Sequence, residues 1–184
     1  MGLNCFFPTA AFHSRTFLLF RNYSLREINR MKSRFKKAGP VLAVSSPGGH
    51  WRQLLQLSEA WEGKEVIFAT CRQCDLDSAG VMGVTIPDAS RSDLLAMAKL
   101  AAKSFWLIAK TRPSVVISTG AAPGLLSIFF GRLFGAKTVW VDSVANVERL
   151  SGSGRIASKM SAICLTQWRH LASPQGPVYM GGLL

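Results

Sequence analysis

No stretch of this 184-residue chain reaches the roughly 18 consecutive apolar residues of a membrane-spanning helix. A secretory signal fits poorly as well. The apolar stretch near Phe17 is very short and has no small-residue cleavage site. Cysteine is scarce: Cys5, Cys71, Cys74 and Cys164 make a poor disulfide framework for this length and point to a reducing, cytoplasmic compartment. Cys71 and Cys74 form a CxxC pair. A zinc site needs two further ligands at matching spacing, and a thioredoxin-type pair needs more of that pattern; neither is apparent. They are read as two incidental cysteines in a loop after a strand, and no metal site is expected. Internal repeats and low-complexity tracts are also missing.

What is present is a globular composition. Apolar residues make up 48% of the chain and charged ones 17%, enough for one domain with a real core. The formal net charge is +12, which brings anionic partners into consideration. The excess is uneven. Residues 1–38 hold Arg15, Arg21, Arg26, Arg30, Lys32, Arg34, Lys36 and Lys37 against Glu27, together with Phe6, Phe7, Phe12, Phe17 and Phe20. A basic arm with clustered aromatics suits an anionic membrane surface; a disordered leader is the competing reading. The domain proper is placed at 39–184.

Strands are expected at Val41 to Val44, Glu65 to Thr70, Val81 to Ile86, Val115 to Ser118, Lys137 to Val141, Ala162 to Leu165 and Val178 to Met180. Helices are expected from Trp51 to Trp61, from Asp93 to Lys110 behind a Ser90 or Ser92 cap, from the turn at Thr119 through Phe134, and from Ile156 to Met160. Near-continuous apolar strands alternating with helices predict an α/β fold: a Rossmann-like parallel sheet covered on both faces. The Asp93 to Lys110 helix shows Leu94, Leu95, Ala98, Ala101, Phe105 and Ile108 on one side, with Lys99, Lys103 and Lys110 at about one-turn spacing. It packs that side on the sheet, or it lies on a membrane with Trp106.

In a parallel sheet, ligands bind beyond the carboxyl ends of the strands. Three small-residue turns fall there: Ser45 to His50 (Ser-Ser-Pro-Gly-Gly-His), Thr119-Gly120 and Asp142-Ser143. Glycines at a strand–helix junction let backbone approach a ligand, and the free N–H groups of a helix start suit phosphates or sugar hydroxyls. Ser46, Gly48, Gly49, Thr119, Gly120 and Ser143 are therefore candidate binding residues. His50 and Asp142 are the candidate catalytic groups; the competing readings are a helix-start histidine that only hydrogen-bonds the loop, and an aspartate that caps a helix or forms a turn with Ser143.

From Val41 onward the chain resembles a known family. The matching residues are the Ser45 to His50 loop, Arg112-Pro113 with Val115 to Gly120, Val141-Asp142-Ser143 through Leu150-Ser151 to Ser153-Gly154, Gln167-Trp168, and Val178 to Leu183. These residues resemble the acceptor-side, membrane-anchor subunit of split, two-chain glycosyltransferases. That group includes the anchor subunit of the dolichol-linked N-acetylglucosaminyltransferase and its bacterial exopolysaccharide and capsule homologues. It is similar in turn to the N-terminal half of the peptidoglycan lipid-linked N-acetylglucosaminyltransferase. Pro47 and Gly152 depart from the family pattern.

The resemblance implies a single GT-B half-domain. It implies a membrane-associated enzyme at the cytoplasmic face that moves sugar from a UDP-sugar to a polyprenyl-diphosphate saccharide. A second chain would bind most of the donor, which is a substrate, so no cofactor is expected. This chain would hold the acceptor and recruit that partner, with Glu148, Arg149, Gln167 and Trp168 as candidate interface residues. Displacement of a nucleoside diphosphate by a hydroxyl needs a base, supplied by His50 or Asp142. Other readings are weaker. A non-catalytic scaffold differs in keeping its activity when His50 and Asp142 are replaced. A nucleotide-binding oxidoreductase lacks GxGxxG, and Thr70-Cys71 stands where an acid would close the second strand. A nucleic-acid binder has the charge but no docking motif, so nucleic acid is not expected as a partner.

Overall fold

A computed structural model describes residues 39–90 and 92–183. The basic aromatic arm expected over residues 1–38 lies outside the described residues, as does Leu184. In chain order the elements are β1 (Val41–Val44), α1 (Gly49–Gln56), a 3-10 turn (Ser58–Trp61), β2 (Val66–Thr70), α2 (Gln73–Ala79), β3 (Gly83–Thr85), α3 (Leu94–Thr111) and β4 (Val115–Ser118). There follow α4 (Ala121–Leu133), β5 (Lys137–Val141), α5 (Gly152–Met160), β6 (Ile163–Thr166), a second 3-10 turn (Arg169–Leu171) and β7 (Val178–Tyr179).

The strands form one seven-stranded sheet in the order β3-β2-β1-β4-β5-β6-β7. Every pairing is parallel; Val41 lies opposite Val66 on one side and Val115 on the other. The expected Rossmann-like α/β sheet is what the chain forms. Alternate side chains of each strand feed two cores. Leu42, Val44, Val116 and Trp140 pack with Leu100, Ile108, Ile128 and Ala157, beneath α3, α4 and α5. Val41, Ala43, Phe68, Ile117 and Val141 pack with Trp51, Leu54, Trp61 and Leu76, beneath α1 and α2. Two-sided burial is why these strands read as unbroken apolar runs.

Three expectations need correction. Gln73–Ala79 is helical, so Cys74 sits on α2 and not in a loop; only Leu76 of that helix is buried, which leaves little apolar period to read. The cap of α3 is Asp93, whose Oδ1 accepts from the Ala96 N–H at 2.9 Å, and not Ser90 or Ser92. The buried arc of α3 is Leu100, Ser104 and Ile108, with Met97 and Leu107 beside it. Leu94, Leu95, Phe105 and Trp106, the first three expected inward, are exposed. The helix is apolar nearly all round, so its period does not select a face; contact with α4 does.

Candidate active site at the switch point of the sheet

The chain runs from β1 outward to β2 and β3, then crosses back to β4 and proceeds the other way. Between β1 and β4 the following helices leave to opposite faces and open a crevice, the place where such sheets bind ligands. The loop after β1 ends at His50, and the turn after β4 is Thr119-Gly120. The two loops are joined across the crevice. His50 Nδ1 donates to the Thr119 carbonyl at 2.9 Å, and Thr119 Oγ1 donates to the His50 carbonyl at 2.7 Å. A carbonyl only accepts, so Nδ1 carries the proton. Nε2 then holds the lone pair while the ring is neutral.

Gly120 packs closely against this imidazole. A Cβ at Gly120 would come within 2.5 Å of His50 Nδ1 and Cε1, and its φ of +148° is one that side chains rarely adopt. Ala121, next in line, has φ +63°. Such backbone costs on the order of 1–3 kcal/mol and tends to occur at functional sites. Gly48 and Gly49 are exposed, and nothing lies within 4 Å of where a Cβ would stand on either. The start of α1 is thus open to an approaching ligand, with Ser46 half-buried beside it.

Asp142, at the end of β5, is 2% exposed and its carboxylate is fully engaged. Oδ1 accepts from Trp140 Nε1 at 3.1 Å and Ser151 Oγ at 2.6 Å. Oδ2 accepts from the Ser151 N–H at 2.9 Å and Asn146 Nδ2 at 3.1 Å. Ser151 in turn caps α5 by accepting from the Gly154 N–H. With four donors on two oxygens, Asp142 organises the 143–151 loop; in this arrangement its carboxylate has no free lone pair aimed at a substrate.

The 143–151 loop is pinned from the other side too. Trp168 Nε1 donates to the Val144 carbonyl at 2.8 Å, and His170 Nε2 to the Val147 carbonyl at 2.6 Å. Glu148 and Arg149 stand exposed at its tip, where a second chain can reach them. Gln167, expected at such a contact surface, is instead interior: its Nε2 donates to Gln53 Oε1 and to the Asp142 carbonyl, each at 3.0 Å. Its Oε1 accepts from the Leu183 N–H, which ties the C-terminal segment to the site. Gln53 completes the chain of bonds by donating to Ser143 Oγ at 3.2 Å. Gln53 is the residue that sequence reasoning missed. Its signal was a polar side chain three residues after His50, inside the apolar stripe of Trp51 and Leu54.

The CxxC cysteines are free thiols. Burial, with help from Asp88 and Asp75, pushes the Cys71 thiol up to about 12, which disfavours its thiolate form. Among the described residues no group of three His, Cys, Asp or Glu side chains is placed to hold a metal ion.

Known proteins share this fold. MurG of Acinetobacter baumannii superposes with a TM-score of 0.64 at 11% identity, over 77% of this chain and 45% of that one. A glycosyltransferase from Rickettsia africae gives 0.52 at 14% identity, over 70% and 36%. The UDP-GlcNAc 2-epimerase of Methanocaldococcus jannaschii gives 0.51 at 11%, over 69% and 39%. Such identities show the fold alone. It is the Rossmann-like half of a GT-B architecture, and the chain spans less than half the length of these structures. No curated protein matches the chain. Residues 85–183 match the family model described as oligosaccharide biosynthesis protein Alg14 like, a span that contains Thr119, Gly120, Asp142, Ser143 and Trp168 but not the His50 loop. The chain belongs to the Alg14-like family of oligosaccharide biosynthesis proteins.

Proposed function

We propose that this chain is the acceptor-binding subunit of a two-chain glycosyltransferase, with His50 as its base. The observation that carries the reading is the imidazole fixed at the switch point of a GT-B half-domain, with Nδ1 occupied and Nε2 left to accept a proton. In the proposed reaction Nε2 takes the proton of an acceptor hydroxyl. The hydroxyl oxygen bonds to C1 of the donor sugar, the bond from C1 to the β-phosphate oxygen breaks, and UDP leaves. N–H groups at the start of α1 face the charge on a diphosphate. The donor itself would be held mostly by a second chain, which meets this one around Glu148, Arg149 and Trp168.

The acceptor's lipid calls for a membrane, and one face of the domain is built for it. Helices α3, α4 and α5 expose Leu94, Leu95, Trp106, Phe129, Leu133 and Ile156. They also expose Lys99, Lys103, Lys110, Arg132, Arg155 and Lys159, and hold no Asp or Glu. Exposed apolar side chains and cations on helices without an acidic residue fit an anionic bilayer surface. Among the described residues no helix is long and apolar enough to cross a membrane. On this reading the domain would meet the cytoplasmic surface of the membrane through the exposed side chains of α3, α4 and α5.

The test is co-expression with candidate donor-binding glycosyltransferase chains of the same genome, followed by assay of transfer from a panel of UDP-sugars to a polyprenyl-diphosphate saccharide. A co-purifying pair with transfer from one donor is expected. Neither complex nor transfer with any donor would contradict the reading.

A further inference from the structure

We propose that the Thr119-Gly120-Ala121 turn is a clamp that sets the tautomer and ring position of His50, with Thr119 and Gly120 as positioning residues. The proposal rests on His50 acting as base and adds how the fold makes it one.

Two bonds of opposite direction join residues 69 apart in sequence: ring to the Thr119 carbonyl and Thr119 hydroxyl to the His50 carbonyl. The first forces the Nδ1–H tautomer. The second fixes the His50 backbone, so the ring is located from both ends. Gly120 removes the one side chain that would occupy the ring's place. Ala121 shows what this arrangement costs locally. A residue with a Cβ is held at φ +63° so that the chain can turn from β4 into α4 while the Thr119 carbonyl still faces the imidazole. Thr119 is fully buried and the His50 ring half-buried. The clamped side is thus held against a buried residue, and the bond to the Thr119 carbonyl leaves Nε2 as the ring nitrogen without the proton. A base held this way has its lone pair aimed before substrate arrives, and a displacement of about 1 Å at such a site costs on the order of a hundredfold in rate.

The test combines a spectrum with kinetics. Full-length protein labelled with 15N at histidine is measured by long-range proton–nitrogen correlation, and the His50 signals are assigned by their loss in His50→Gln. Neutral His50 is expected to carry its proton on Nδ1. In Gly120→Ala that signature should disappear, and kcat of the two-chain complex should fall about a hundredfold while KM for the lipid acceptor changes little. Thr119→Val should lower kcat about tenfold, and Thr119→Ser should restore it; this pair keeps the test valid if Gly120→Ala fails to fold. A proton on Nε2 in the wild type would overturn the clamp, as would unchanged kcat in both Gly120→Ala and Thr119→Val. Full transfer activity in His50→Gln, with the tautomer as stated, would instead overturn the base reading on which the clamp depends.

Discussion

Asp142 shows how a carboxylate on the rim of a sheet can be structural. It is buried, and each of its oxygens accepts two hydrogen bonds from Trp140, Asn146 and Ser151. Asp142→Ala would leave those donors unsatisfied in a nearly dry pocket. We expect a loss of about 3–5 kcal/mol in denaturant unfolding, with Asp142→Asn costing less because one acceptor oxygen remains. Half-buried Cys71 and buried Cys164 give the second expectation at this scale. Cys71 and Cys164 are pushed from 9.0 to about 12, chiefly by burial. Above pH 9 the unfolded chain releases these protons and the folded one does not. Stability should therefore be flat in this respect below pH 9 and fall as pH rises from 9 toward 12. Urea melts of the wild type and of Cys71→Ser/Cys164→Ser check this: the double variant should lose the extra slope above pH 9. Exposed Cys74 should alkylate readily at pH 8 while the other two described cysteines do not.

At the scale of elements, α3 matters most. Its inward arc is short, and Leu94, Leu95 and Trp106 are exposed on the same helix as exposed Lys99, Lys103 and Lys110. A helix that merely covers the sheet has no need of that outer face. Replacing Trp106 and Leu95 with Ser and Lys99 and Lys103 with Gln should reduce flotation with vesicles containing anionic lipid at least tenfold, since each cation near such a surface contributes about 1 kcal/mol. It should leave the unfolding midpoint nearly unchanged, because these side chains make little core contact. Equal flotation would assign membrane binding elsewhere, to residues 1–38 first. The elements also show what the sequence made legible. Val41–Val44, Val115–Ser118 and Lys137–Val141 form strands at the expected positions because burial on both faces demands unbroken apolar runs. Helix α2 went unread because it buries a single leucine, and α5 begins four residues before Ile156 because Ser151 caps a glycine-containing turn. The exposed face of α3 was hidden by its excess of apolar residues.

At the scale of the molecule, the sheet's switch point gathers loops that are far apart in sequence. His50, Thr119 and Gly120 could be named beforehand because strand ends are where parallel sheets work. Their bonding could not, since it depends on partners 69 residues away. The same holds for Gln53 and Gln167, joined across 114 residues inside the fold. These links give the Asp142 loop, the start of α1 and the C-terminal segment one shared geometry. Glu148 and Arg149 remain exposed at the edge for a partner. On the proposed reading such a half-domain would hold the base and an open loop, and the chemistry would be completed only when a second chain brings the donor.

The central claim, that His50 acts as the base of that reaction, is tested most directly by comparing single-turnover sugar transfer in the assembled wild-type and His50→Ala complexes. The variant is expected to fold, to bind its partner and to associate with vesicles as the wild type does, while the rate of transfer falls by about 10²–10⁴. A His50→Ala complex that transfers sugar at the wild-type rate would contradict it and leave the chain a scaffold for its partner.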